Sequence, residues 1–225
     1  MKNFVLLSEK SWHNNLFDEL RLRKGENWIQ IKSKEEFTST HLLKVKPEKI
    51  FIPHWSYIIP QEIWNRYTCV VFHMTDLPFG RGGSPLQNLI VRGIENTKIT
   101  ALKVNGGIDT GDVYIKSELN LSGTAQEIFK RSIPIIKAMI FSIIDNKLKP
   151  FPQNGKVVEF VRRKPEQSNI AELKNLTEIH NYIRMLDCDG YPKAFIETPH
   201  FRLEFTKSKV TSSNSLNANV RFIKK

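Results

Sequence analysis

The chain has 225 residues, of which 40% are hydrophobic and 25% charged, and its formal net charge is +11. That length and balance suit one large soluble globular domain, or one with a small appendage, and exclude a disordered or fibrous chain. The longest apolar runs, Phe4–Leu7, Ile50–Pro53 and Cys69–Phe72, are far too short for a spanning helix. The two cysteines, Cys69 and Cys188, match no zinc or redox spacing, so no metal is expected. The N-terminus lacks the pattern of a secretory signal, and a cytoplasmic location without membrane contact follows as the expectation.

In chain order, Asn3–Leu7 reads as a buried strand. Ser11 is placed to cap a helix over Trp12–Leu22, with Leu16 and Leu20 on one face, and Gly25 ends it. Trp28–Ile31 is a second strand. Ser33 with Glu36 forms a capping-box pattern ahead of Phe37, Leu42 and Leu43, and Pro47 stops that helix. Lys49–Ile52 and Thr68–His73 are the third and fourth strands. Ser84–Arg92 reads as a short helix, and Ile99–Val104 and Val113–Ile115 as strands. Thr124 with Glu127 opens a helix toward Asp145, with a kink or restart expected at Pro134. Strands alternating with helices argue for βαβ units around a mostly parallel, Rossmann-like sheet over residues 1–150.

After Pro150 the texture changes. A strand over Val157–Val161, a helix over Glu178–Leu186, strands at Ala194–Glu197 and Phe201–Phe205, and a Ser/Asn-rich loop or hairpin over Thr211–Asn219 give a small α+β extension, residues 151–225. From Asp145 onward there are 15 Lys/Arg against 9 Asp/Glu, the denser positive region of the chain. This fits either an anionic partner or a Lys-rich solvated surface. No basic block exceeds Arg162–Lys164, so a nucleic-acid partner is not expected.

Two segments carry chemistry. His73-Met-Thr-Asp-Leu-Pro-Phe-Gly-Arg-Gly-Gly-Ser-Pro85 runs from a strand end into a Gly/Pro loop, the place where open α/β sheets bind ligands. Val104-Asn-Gly-Gly-Ile-Asp-Thr-Gly-Asp112 again follows a strand and sets Asp109 and Asp112 three residues apart. An imidazole, one or two carboxylates and two glycine loops suit acyl-type transfer to an amine. The developing oxyanion needs a donor, the amine must lose a proton, and the leaving nitrogen must gain one. Composition and spacing alone support an α/β enzyme with a glycine-lined site.

The two segments together resemble the signature of the formyltransferase family, which includes methionyl-tRNA, glycinamide ribonucleotide and sugar-nucleotide formyltransferases. That family carries His-x-Ser-Leu-Leu-Pro-x-x-Arg-Gly after a strand and then an Asp-Thr-Gly-Asp loop. Here the matching residues are His73-Met-Thr-Asp-Leu-Pro-Phe-Gly-Arg81-Gly82 and Asp109-Thr-Gly-Asp112, and the resemblance covers about residues 45–145. It implies a Rossmann-like fold, 10-formyltetrahydrofolate as cofactor, and His73 and Asp109 as catalytic residues, His73 for the oxyanion and Asp109 to orient it. The implied cofactor site takes in Trp55, Tyr57, Ile58, Gly106, Gly107, Ile108 and Asp112. Where the family has Asn two residues before the histidine, this chain has Val71, and Gln87 and Asn88 are candidates to replace the missing donor.

The Gly80–Asn88 run, with Arg162–Ser168 and Asp187–Lys193, looks most like small sugar formyltransferases of the pseudaminic-acid-pathway type. The implied substrate is a nucleotide-linked amino sugar, in contact with Thr75, Arg81, Gly82, Gly83, Ser84, Arg162, Arg163 and Tyr191. A homodimer is entertained. Residues 151–225 read as too short for the C-terminal domain of methionyl-tRNA formyltransferases. Methionyl-tRNA or another amine as acceptor, and a basic RNA-binding protein on the same scaffold, are the alternatives.

Overall fold

The computed structural model describes residues 1–225. β1 (Lys2–Leu7) leads through a 3₁₀ turn at Ser11–His13 into α1 (Asn14–Leu20) and β2 (Glu26–Ile31). Next come α2 (Ser39–Val45), β3 (Lys49–Pro53), α3 (Gln61–Trp64), β4 (Thr68–His73), β5 (Phe79–Gly82) and α4 (Pro85–Ile90). β6 (Asn96–Lys103), β7 (Val113–Asn120) and the long α5 (Ala125–Asp145) follow. β8 (Val158–Phe160), α6 (Leu176–Arg184), β9 (Ala194–Glu197), β10 (Phe201–Ser212) and β11 (Ser215–Lys224) complete the chain. Two compact units result. Met1–Gly82, Lys98–Leu119 and Arg131–Glu159 form the first, and Gly83–Thr97, Asn120–Lys130 and Phe160–Lys225 the second.

A six-stranded sheet in the order β2-β1-β3-β4-β6-β7 centres the first unit. β2, β1, β3 and β4 pair in parallel, and β6 is antiparallel to β4. The parallel strands read as continuous apolar runs because helices and loops cover both of their faces. One face carries a row of aromatics: Trp28 lies 5.1 Å from Phe4 and 5.7 Å from Phe51, and Phe51 lies 6.4 Å from Phe72. The other carries Val5, Leu7, Ile31, Ile50, Ile52 and Cys69, packed with Phe37, Leu42, Ile59 and Ile63. Each fully buried aliphatic side chain contributes roughly 1.5–3 kcal/mol. Alternation along β4 puts Cys69, Val71 and His73 on this aliphatic face, and only the last, at the strand end, is polar.

Three local readings are corrected. The Ser33–Glu36 pattern caps a turn, with Glu36 N–H donating to Ser33 Oγ, whereas the helix begins at Ser39 under Thr38, whose hydroxyl accepts from His41 N–H. Pro134 lies inside one uninterrupted helix, α5, at a cost of one i→i−4 hydrogen bond. The strand read over Phe201–Phe205 runs on to Ser212, and of the loop or hairpin read over Thr211–Asn219 the structure has the hairpin, β10 with β11. Leu216, Ala218, Val220 and Phe222 alternate with polar residues along β11.

The second unit holds the sheet β11-β10-β9 beside α6. Phe160, Ile170, Ile183, Met185, Leu186 and Phe195 are buried. Arginines cover aromatic faces: Arg202 lies 3.6 Å from the Phe195 ring centre and Arg163 5.1 Å from Tyr182.

Candidate active site

His73 ends β4, where the chain leaves the sheet for the Gly/Pro loop. Its ring is 93% enclosed, with a side-chain exposure of 7%, and Asp109 opposite it is 16% exposed. His73 Nε2 lies 2.8 Å from the Gly80 carbonyl oxygen, which also accepts from the Thr75 hydroxyl at 3.3 Å. A carbonyl only accepts, so Nε2 carries a hydrogen. Nδ1 then faces Asp109 Oδ2 at 3.4 Å. Nδ1 and Oδ2 are thus the facing atoms of the imidazole and the carboxylate.

Asp109 is fixed from several sides. Its Oδ2 accepts from Gly82 N–H at 2.9 Å. Its backbone is left-handed, with φ +52°, a region non-glycine residues enter at a cost of roughly 1–2 kcal/mol. Gly82 itself has φ +105°, which a side chain at that position would resist. Gly111 approaches the Lys103 carbonyl so closely that a Cβ there would overlap the oxygen. The Asn105 side-chain oxygen accepts from Gly107 N–H at 3.1 Å and Thr110 Oγ at 2.7 Å, and the Asp112 carbonyl accepts from Lys103 N–H at 2.8 Å.

Among the expected cofactor residues, Trp55 is partly buried, with its ring 5.2 Å from Tyr57 and 6.2 Å from Phe37. Its Nε1 is buried without a hydrogen-bond partner. Tyr57, Ile58 and Ile108 are exposed, unusual for large apolar side chains. Gly106 and Gly107 are exposed, and Gly106 stands beside Trp64. Asp112 lines a cleft of about 330 Å³ with Trp64, Asn65, Lys103, Val104 and Asn105, and neither His73 nor Asp109 lines it.

Among the expected substrate residues, Thr75 is fully buried and spends its hydroxyl on Gly80. Arg81 donates twice to Gln153 Oε1, at 3.1 and 2.8 Å. Gly83, Ser84, Arg162, Arg163 and Tyr191 belong to the second unit. There Gly83 N–H donates to the Phe160 carbonyl, Ser84 Oγ accepts from Arg163 N–H, Gly83 presses on the Arg162 side chain, and Tyr191 packs on Phe129. The proposed donors Gln87 and Asn88 are committed elsewhere: Gln87 Nε2 donates to the Met185 carbonyl, and Asn88 Nδ2 to those of Gly83 and Val161. Val71 packs against the aliphatic cluster. The oxyanion thus has no side-chain amide donor from any of these three positions.

Sequence reasoning missed Gln153, which sits in a Pro-flanked loop with no motif. It also missed a buried polar chain beside the site. Ser8 Oγ lies 2.6 Å from His13 Nδ1, His13 Nε2 lies 3.1 Å from His54 Nδ1, and His54 Nε2 lies 3.2 Å from Met74 Sδ. The thioether only accepts, so each donor is fixed in turn: His54 Nε2–H, His13 Nε2–H, Ser8 O–H. Both rings are neutral. Burial, with the neighbouring His54 and Lys10 charges, lowers His13 to about 2, and burial with Lys10 lowers His54 to about 4. Cys69 nearby is pushed up to about 12 by burial.

The sheet is mostly parallel and Rossmann-like, and it carries the His–Asp pair at the carboxyl end of a central strand, the edge where open α/β sheets bind ligands. A solved structure, methionyl-tRNA formyltransferase from Clostridium thermocellum, is 47% identical over the whole of both chains, with a TM-score of 0.97. The chain belongs to the formyltransferase family. Residues 165–223 match the family model described as "Methionyl-tRNA formyltransferase, C-terminal domain". Methionyl-tRNA formyltransferase of Bacillus thuringiensis (strain Al Hakam) is 29% identical over 175 residues, 71% of this chain and 53% of that protein. The chain spans about half the length of the curated relatives it matches. A sugar N-formyltransferase from Shewanella sp FDAARGOS_354 shares the fold at 15% identity, covering 94% of this chain and 99% of that one, with a TM-score of 0.74.

Proposed function

We propose that the protein transfers a formyl group from 10-formyltetrahydrofolate to a primary amine, with His73 and Asp109 at the reacting carbon. The observation that carries this reading is the His73–Asp109 pair, held at 3.4 Å at the end of β4. When bound, the folate supplies the formyl carbon in activated amide form. The residues fit such a group. Trp55 Nε1 is a buried donor without an acceptor, and Tyr57, Ile58 and Ile108 offer exposed apolar surface for a flat ring system. Gly106, Gly107 and Asp112 complete the proposed cofactor residues.

The pair relays a proton. As the amine bonds to the formyl carbon, His73 and Asp109 take the proton it loses, and they return one to the leaving nitrogen as its bond to that carbon breaks. The Gly80 carbonyl holds the ring in one orientation throughout, since Nε2–H stays committed to it. Gly82 N–H keeps the Asp109 carboxylate facing the ring.

For the amine, methionyl-tRNA is the better-supported acceptor. The family match over 165–223 and the 47% identical relative of that name favour it over the nucleotide-linked amino sugar that the loop sequences suggested. The charge of the C-terminal hairpin agrees. Arg202, Lys207, Lys209, Arg221, Lys224 and Lys225 face a single acid, Glu204, a balance suited to a polyanion. The expectation that nucleic acid is not a partner gives way in this reading. In the same reading Gly83, Ser84, Arg162, Arg163 and Tyr191 remain proposed acceptor contacts.

The test is turnover of 10-formyltetrahydrofolate with methionyl-tRNA and with a panel of nucleotide-linked amino sugars. Methionyl-tRNA is the expected acceptor, and turnover of a sugar alone would reverse the assignment. His73→Ala and Asp109→Ala should each lower kcat by about 10²–10³ with melting temperature preserved, and the double variant should be little worse. Full activity in His73→Ala would remove the mechanism.

A further inference from the structure

We propose that Gln153 is a positioning residue for the reacting pair, clamping the Asp109 loop to the Arg81 loop. This rests on the formyl-transfer reading above. The geometry is a closed ring of hydrogen bonds. The Arg81 guanidinium donates through Nε and Nη2 to Gln153 Oε1, at 3.1 and 2.8 Å. Gln153 Nε2 donates to the carbonyls of Asp109 and Gly111, at 2.8 Å each. Asp109 Oδ2 then accepts from the N–H of Gly82, the residue after Arg81. The orientation of the amide is forced, because a guanidinium only donates and carbonyls only accept. Both hydrogens on Nε2 are used, so the side chain has no donor left for any other partner.

The ring explains how Asp109 keeps its strained conformation. A left-handed φ of +52° persists only where the surroundings over-determine it. Gln153 holds the two carbonyls that bracket this turn, and Gly82 holds the carboxylate. Releasing the carbonyls frees Asp109 to relax and moves Oδ2 from its place beside His73 Nδ1. The same bonds give Arg81 a further part. Two of its three nitrogens are spent on Gln153, so it helps to build the site, in addition to the substrate contact expected of it.

Gln153→Glu separates the two halves of the clamp. The carboxylate keeps, and strengthens, the bond to Arg81, but turns acceptors toward the two carbonyls. Gln153→Ala removes both halves. Kinetics with the acceptor identified above should give Gln153→Glu and Gln153→Ala similar losses in kcat, about 10- to 100-fold, with KM for the folate and the amine changed no more than about twofold. Wild-type kcat in Gln153→Glu, or a loss carried by KM alone, would overturn the clamp. Hydrogen exchange measured by mass spectrometry on the unliganded protein needs no turnover. Residues 105–112 and Gly82 should exchange faster in Gln153→Glu than in wild type, with the rest of the sheet unchanged. Unaltered exchange there refutes the clamp. Faster exchange beside a wild-type protein that formylates no amine would uphold the clamp and refute the formyl-transfer reading.

Discussion

Acidification from pH 7 to pH 5 should destabilise this protein mainly through two histidines outside the proposed reacting pair, with His180, lowered by burial and by Arg184, adding to it. His13 and His54 lie in a hydrogen-bond chain whose direction is set by the Met74 thioether, so the native state accommodates neither as a cation. Unfolded, each has the ordinary value near 6.5, whereas folded they stand at about 2 and about 4. Below pH 6.5 the unfolded state binds more protons than the native one, so stability is fully present above that value. It is lost as pH falls toward the folded values. Each group forfeits about 1.36 kcal/mol per pH unit within its window, roughly 2 kcal/mol by pH 5. His13 is fully enclosed and delivers that figure, whereas His54 is partly exposed and delivers less. The pair together removes roughly 3–4 kcal/mol, a large fraction of the 5–15 kcal/mol typical of a domain. The assay is urea denaturation followed by fluorescence at half-unit steps from pH 7.5 to pH 5. Carboxylates lowered by their cations, Glu9 by Lys10 and Asp76 by Lys116 and Lys98, lose their contribution below pH 5 and do not confuse this range. A His13→Gln, His54→Gln double variant should show a flatter dependence, whatever its absolute stability. An unchanged slope in that variant refutes the argument.

Further outcomes follow from the site and its neighbours. Val71→Asn restores the side-chain amide that relatives carry at this position, and kcat should be preserved or raised. Folding loss instead, read as a fall in melting temperature, would mean that the aliphatic cluster cannot admit an amide. Gly111→Ala drives a methyl into the Lys103 carbonyl and should cost about 1–3 kcal/mol with a lower kcat, measured by denaturation and turnover. Cys69, pushed up to about 12 by burial, should resist a thiol reagent at pH 8 until the protein is unfolded.

Most of the central sheet was legible in the sequence for a physical reason. Strands buried on both faces must be apolar at every position, so Cys69–Phe72 declared β4, and the polar residue that ended the run is the one proposed for catalysis. Thr124 and Glu127 marked the start of α5 because a capping box is a local interaction, and Glu127 Oε2 does accept from Thr124 N–H at 2.7 Å. What escaped depends on distant partners. Gln153 meets Asp109 across 44 residues, and nothing near it in sequence signals that. His54 joins His13 only because its own left-handed backbone, φ +50°, turns it back at the strand end. The hairpin β10–β11 was one of two readings of the sequence, and only the length of its strands escaped. The family match over 165–223 escaped because hydrophobic pattern alone does not disclose it.

The Gln153 clamp also bears on the order in which the molecule comes together. All six strands of the main sheet lie before Asn120, so a nascent chain that has emerged that far already contains the scaffold. The residue that locks the Asp109 turn arrives only after α5 has been made. Closing that long loop is entropically expensive, and its reward is withheld until the end. An incomplete chain would therefore own a sheet and a histidine but no settled carboxylate until the last part of the first unit is laid down.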